Sequence, residues 1–204
     1  MKKILAITLS LVLVFSMTCF AAGFSDLSSD HWAYRNILAL AENGVINGYP
    51  DGTFKPENTI TRGEFFKLIM TATEGEEFFE IANLVASTWT APYMNYAENK
   101  GLMMNGTSTE NANDEITRLE MAVVLSKVAN YKNIKESYSD DGTGVVENIE
   151  FNDISNLSEL NQAYINRVAD LGLVRGYTDG SFRPNGYMTR AEVATIVYRF
   201  LAIK

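Results

Sequence analysis

Apolar residues recur at three- and four-residue spacing in paired stretches along the chain. Ile37, Leu40 and Ala41 precede a glycine, Gly44, and Phe65, Leu68 and Ile69 follow some twenty residues later. The same pair returns as Met94 and Ala97 ahead of Gly101 with Met121, Val124 and Leu125 behind it. It returns again as Ile165, Val168 and Ala169 ahead of Gly172, with Val193, Ile196 and Val197 behind. Such stripes predict amphipathic helices that turn one face to a core. The glycines fit left-handed caps at the ends of the first helix in each pair. A T-x-x-E box opens each second helix: Thr61 with Glu64, Thr117 with Glu120 and Thr189 with Glu192. In such a box the hydroxyl caps the third amide and the carboxylate reaches back to the first.

The chain therefore divides into three helix-loop-helix units, 23–73, 74–130 and 151–204. An acidic connector, 131–150, lacks helical periodicity and is expected to be mobile. Units one and three match densely. F-S-D-L and F-N-D-I open them, and N-G-Y-P-D-G-T-F-K-P in one is answered by R-G-Y-T-D-G-S-F-R-P in the other. Asp51-Gly52 and Asp179-Gly180 mark tight turns there. Unit two is worn. Phe78-Phe79-Glu80-Ile81 stands for its opening, and N-G-T-S-T-E-N-A-N-D-E replaces the loop. Residues 76–86 predict a short additional helix. One two-helix unit cannot bury its own stripe, so the three are expected to pack together as an all-α, threefold-like body.

Residues 1–22 are set apart by Lys2 and Lys3, an apolar run and small residues near Ala21 and Ala22, the pattern of an export signal. Removal of that segment takes the one cysteine, Cys19, with it, and shifts the formal charge from −8 to about −10. Disulfides, thiolate nucleophiles and cysteine zinc sites are then excluded. His31 is the only histidine, so a catalytic triad would have to hang on it. The negative balance argues against nucleic acid or any anionic polymer held by overall field, so anion recognition has to be local. P-D-G-T and S-D-D-G-T-G lack the spacing of a calcium loop and read as turns. No cofactor, metal site or membrane span beyond the signal is expected, and nothing marks an enzyme.

Within each box stands an arginine: Arg62, Arg118 and Arg190. A cation in the first helical turn opposes the macrodipole, at a cost of roughly 0.3–1 kcal/mol. One such arginine reads as a solvated or salt-bridged surface residue; three at one position, taken with the resemblance given below, favour ligand contact. A guanidinium matches a carboxylate with a forked pair of charge-assisted hydrogen bonds, and free amides at the helix start would add to it.

The combination of F-x-D-h, G-V-I-N-G-Y-P-D-G-T-F-K-P and three T-R-x-E boxes resembles the S-layer homology family over essentially all of residues 23–204. The resemblance implies three repeats in a pseudo-threefold arrangement around a central helical bundle. It also implies grooves between neighbours that hold secondary cell-wall polysaccharide, often bearing pyruvyl ketals, and so an exported protein attached to a bacterial wall. By resemblance Arg62, Arg118 and Arg190 are groove arginines, and Trp32 and Trp89 stand where the family has an aromatic wall, although packing at helix starts is an equal alternative. Asp26 and Asp153 either cap the first helices or line the grooves. Gly48-Tyr49 and Gly176-Tyr177 are divided in the same way. Unit three has Leu160 in the tryptophan position, and unit two lacks the tyrosine loop, so three equal grooves are not expected. Replacing Arg62 by alanine is expected to weaken glycan binding with little effect on stability. The alternative is a structural envelope component that works through contacts with surface-layer proteins.

Overall fold

The computed structural model describes residues 23–75, 77–135, 137–139 and 149–203. The expected export signal and most of the acidic connector lie outside them. The described chain is all-α: α1 (Tyr34–Glu42), α2 (Arg62–Glu74), α3 (Glu80–Val85), α4 (Ala91–Asn99), α5 (Arg118–Tyr131), α6 (Glu159–Asp170) and α7 (Arg190–Ala202). Short 3₁₀ turns at Glu77–Phe79 and Thr109–Asn111 complete it. Bridge pairing among the described residues is confined to isolated antiparallel contacts, Thr59 to Thr189, Thr61 to Glu115 and Thr117 to Tyr187. The extra helix expected at 76–86 is present as α3 with its preceding 3₁₀ turn.

The local signals act as their chemistry requires. Thr61, Thr117 and Thr189 each accept from the amide three residues on, and Glu64, Glu120 and Glu192 each close the box. Gly44, Gly101 and Gly172 hold φ near +70°. Behind them Val45, Leu102 and Leu173 donate to Leu40, Ala97 and Val168, which makes each helix end a Schellman motif. Asn133 does the same work at the end of α5, at φ 56°. All the stripe residues named above are buried except Ala41 and Leu68, which pack partly exposed against the same core.

Neighbouring units interlock rather than stand alone. α2 packs on α4, α5 on α6, and α7 returns to α1. At the centre, three peptide groups form a closed ring: Ile60 donates to the carbonyl of Met188, Met188 to Ile116, and Ile116 to Ile60, at 3.0–3.2 Å. All three side chains are fully buried, so one apolar core runs across the units. The beginning of the described chain is thus tied to its end. The described ends of the connector are also packed. Tyr138 donates to the carbonyl of Leu171 and Arg167 to that of Ile134, while Ile134, Tyr138 and Ile149 lie against the core.

Candidate functional site: grooves at the capped helix starts

The amides at the three helix starts are not open to an anion. Arg62 and Gly63 donate to the carbonyls of Asp114 and Ala112. Arg118 and Leu119 donate to Gly186 and Pro184, and Arg190 and Ala191 to Asn58 and Pro56. The third amide in each helix is held by the box threonine. This corrects the expectation of free N–H groups. The loop of a neighbouring unit is the acceptor, so the helix starts serve as the joints between units.

The three arginines lie at these same joints, largely buried. Arg190 donates from Nε to the carbonyl of Phe54 at 2.9 Å and from Nη2 to that of Asn47 at 3.3 Å. Its guanidinium lies over the rings of Tyr49 and Phe54, 4.8 Å from each centroid. Arg118 repeats the arrangement one unit on, with Nε to the carbonyl of Phe182 at 2.7 Å and Nη1 to Glu192 at 3.3 Å, over Tyr177 and Phe182. Arg62 differs. It meets Glu120 at 2.7 Å and Asp114 at 3.1 Å, and no aromatic ring among the described residues stacks on it. Burial opposes its charge, but the bonds to these two carboxylates prevail and raise its pKa. Each arginine thus reaches the box glutamate of another unit: Arg62 to Glu120, Arg118 to Glu192, and Arg190 to Glu64 at 3.8 Å. The helix start tolerates a cation because its side chain belongs to the next joint. An alanine at any of the three therefore removes structure as well as charge, which revises the expectation of unchanged stability for Arg62.

Two grooves open beside these arginines, each with a volume of about 200 Å³. The first is walled by Val45–Tyr49, Glu64, Lys67, Trp89 and Arg190; the second by Leu173–Gly176, Glu192, Thr195, Arg199, Trp32 and Arg118. They are equivalent in construction. Each takes its loop and glutamate from one unit, its tryptophan from the next and its arginine from the remaining one. Trp32 and Trp89 are 61% and 55% exposed, so both present ring surface instead of filling the core. Leu160, which occupies the tryptophan position in the sequence of unit three, is 62% exposed.

Asp26 and Asp153 fasten the loops from beneath. Asp26 accepts from the amides of Phe54 and Lys55 at 2.7 and 2.8 Å, and Asp153 from Phe182 and Arg183 at 2.8 and 2.7 Å. Lys55 and Arg183 adopt φ of 57° and 58°, conformations held by these clamps. The two carboxylates thus act on loop geometry and do not cap the first helices, where Ala33 and Ser158 hold the cap positions. Among the described residues of unit two there is neither such a clamp nor the loop it would hold. Gly48 and Gly176 are required by close approach, since a Cβ would lie 2.4 Å from Phe24 and 2.5 Å from Phe151. Tyr49 and Tyr177 stack on the groove arginines, and Lys55 and Arg183 cover them at 4.1 and 3.9 Å. Burial raises the pKa of the Tyr177 hydroxyl, which donates to Glu192 at 3.3 Å.

The turns beyond these tyrosines are charged and local. Thr53 holds Asp51 through its hydroxyl and amide. The hydroxyl of Ser181, the guanidinium of Arg183 and the Ser181 amide together keep the Asp179 carboxyl well below the usual carboxylate range. The folded pKa being lowered, the contribution of this carboxylate is complete above the ordinary value of about 4 and is lost as pH falls through the folded one. Carbon-13 NMR of the aspartate carboxyls is expected to show Asp179 still ionised when unbonded aspartates have protonated. Titration together with those unbonded groups would contradict the bonding described.

Sequence reasoning missed four groove residues. Asn47, Lys67, Arg175 and Arg199 line the grooves. Lys67 and Arg199 lie on the helices that the boxes open, so their spacing from Glu64 and Glu192 could have flagged them. Counting ionised side chains in the lining, the first groove has Arg190 and Lys67 against Glu64, and the second Arg118, Arg175 and Arg199 against Glu192. Both are locally positive in a chain of net charge −8. His31 is engaged otherwise: Nδ1 accepts from the amide of Ala33 at 3.1 Å and Nε2 pairs with Glu57 at 3.0 Å. Among the described residues no three His, Cys, Asp or Glu gather as a metal site, and no helix is long and apolar enough to cross a membrane.

Comparison with known proteins gives these grooves a context. The chain is 30% identical over 181 residues to exoglucanase XynX of Acetivibrio thermocellus, covering 87% of this chain and 16% of that protein. It is 31% identical over 164 residues to a cellulosome-anchoring protein of the same organism, covering 76% and 35%. With S-layer protein EA1 of Bacillus anthracis it shares 27% identity over 203 residues, covering 96% and 22%. The chain therefore spans a minor part of these relatives. Two segments, residues 23–66 and 150–194, match the S-layer homology domain, and they contain the two tyrosine loops together with Arg62 and Arg190.

Proposed function

We propose that this protein is a wall-anchoring module of three S-layer homology units, 23–73, 74–130 and 151–204. Unit two is the divergent one. Its two positive grooves hold an anionic, pyruvyl-bearing secondary polysaccharide of a bacterial cell wall. The observation that carries this reading is the paired construction of the grooves: an exposed tryptophan, a guanidinium over two aromatic rings, and a surplus of cations in an otherwise acidic chain. The tryptophan face offers apolar contact to a sugar ring. The arginine offers a directed charge: Nη1 of Arg190 lies 3.8 Å from Glu64, beyond hydrogen-bonding distance, and so remains able to meet a carboxylate. Two weak grooves on one rigid body gain avidity on a repeating polymer through effective concentration. Unit two contributes Trp89 and Arg118 to the grooves although it has no tyrosine loop. No reaction is catalysed, and the protein resides at the cell surface after export. The relatives support attachment, since one is named a cellulosome-anchoring protein and another an S-layer protein.

The tryptophans give the cleanest test because they are exposed. Trp89→Ala is expected to weaken binding of isolated wall polysaccharide about tenfold in calorimetry, with the melting temperature nearly unchanged. Unchanged binding in both Trp89→Ala and Trp32→Ala would overturn the groove assignment. It would favour a structural envelope role through protein contacts.

A further inference from the structure

A third cavity, of about 570 Å³, lies away from the arginines, where the 3₁₀ turn and α3 cross α4. Its size falls within the roughly 300–1,000 Å³ typical of small-molecule sites. Phe78 stands at its edge, 57% exposed, packed edge-on against Phe79 and Tyr96 at ring separations of 5.0 and 5.2 Å. Tyr96 and Phe79 continue the aromatic surface at 5.6 Å. Asn95 and Asn99, one helical turn apart on α4, bring two exposed side-chain amides to the same cavity, and Ser87 adds a hydroxyl. Ala82, Ala86, Ala91 and Pro92 supply small apolar walls, and among the described residues no carboxylate or cation lines it.

Phe78 packs only by its edge and leaves more than half its surface exposed beside the exposed amides of Asn95 and Asn99. The lining rejects a charged ligand, which would lose hydration without gaining a counter-charge. It suits a ligand with an apolar face and several neutral donors and acceptors at its edge. We infer that this cavity is a subsite for an uncharged N-acetylated sugar. The pyranose C–H face lies on the Phe78 and Tyr96 rings, the Asn95 and Asn99 amides bond the hydroxyl and acetamido groups, and the acetamido methyl rests among the alanines. The amides serve as both donors and acceptors, as sugar hydroxyls require. The short additional helix expected at 76–86 thereby gains a purpose, since it supplies one wall of the site. The site is independent of the grooves, because none of their arginines lines it.

The test is a titration of the ¹⁵N-labelled protein with chitotriose, an uncharged N-acetylated trisaccharide, followed by NMR. Cellotriose, which lacks acetamido groups, is titrated in parallel. Saturable shifts of the Asn95 and Asn99 side-chain amides with chitotriose, weaker with cellotriose, are expected. Asn99→Ala should weaken chitotriose about three- to tenfold, and Phe78→Ala by at least as much. Both changes are at exposed positions, and retained helicity confirms that the fold is intact. No shift at millimolar chitotriose, equal binding of the two sugars, or affinity unaltered in both variants would overturn the inference. Wall attachment through the arginine grooves would survive any of these results, since Arg118 and Arg190 are unchanged in every arm.

Discussion

Arg190→Ala is expected to lower stability and wall binding together. The change removes charge-assisted bonds to the carbonyls of Phe54 and Asn47, and it leaves the carbonyl of Phe54 buried against the vacated space. Hydrogen bonds from charged donors contribute about 1.5–3 kcal/mol each. Allowing for water entry at a joint that is near the surface, the loss is roughly 2–4 kcal/mol, or on the order of 10 °C in melting temperature. The same guanidinium bridges α7 to the first unit, so the ring of units loosens where the chain's last helix meets its first. Arg190→Lys should recover part of the stability through its charge. It should recover little binding, because an ammonium lacks the planar fork and stacks poorly on Tyr49 and Phe54. Thermal unfolding and polysaccharide calorimetry on the three proteins would check this. Full stability in Arg190→Ala would show that the residue is no joint.

The second large effect is Gly176→Ala. Two independent strains meet there. The residue holds φ at +70°, a conformation that costs an L-residue about 1–2 kcal/mol. A methyl group would also lie 2.5 Å from Cε1 of Phe151 and 2.8 Å from the carbonyl oxygen of Ser181. Overpacking of this kind adds about 1–3 kcal/mol, so roughly 2–5 kcal/mol in total is expected from the midpoint of urea unfolding. Gly48→Ala separates the two causes. Its neighbours are as close, with Phe24 at 2.4 Å and the Thr53 carbonyl at 2.7 Å, but its φ is not positive. The smaller loss should therefore belong to Gly48. Adding Phe151→Ala to Gly176→Ala should give no rescue, because the backbone oxygen remains and a core ring is lost. An unchanged midpoint in Gly176→Ala would contradict the close packing of loop on F-x-D segment.

What could be read from the sequence is local. The boxes and Schellman glycines depend on contacts three to five residues apart, and each was legible because a hydroxyl, a carboxylate or a missing Cβ announces itself. The arginines were legible as anomalies only. Their partners lie far along the chain, Arg190 being 136 residues from Phe54 and 143 from Asn47, and no periodicity connects such positions. Three of those partners, at Phe182, Phe54 and Asn47, are backbone carbonyls, which carry no residue signature at all. The same holds for the worn loop of unit two. Its sequence departs from the others, yet the carbonyls of Ala112 and Asp114 receive α2 as those of Pro56 and Asn58 receive α7. Spacing alone could place Trp32 and Trp89 at helix starts but could not say which way they face. Their exposure, and that of Leu160, is decided by how α1, α4 and α6 lie on helices of other units.

The central claim is that two of the three joints double as glycan grooves. The most direct measurement is co-sedimentation of the protein with wall sacculi that carry their secondary polysaccharide, against sacculi stripped of it. Binding that vanishes on stripping, and that falls when Trp32 and Trp89 are both replaced by alanine in a folded protein, is the predicted result. Equal binding to both preparations, or binding to neither, would contradict it.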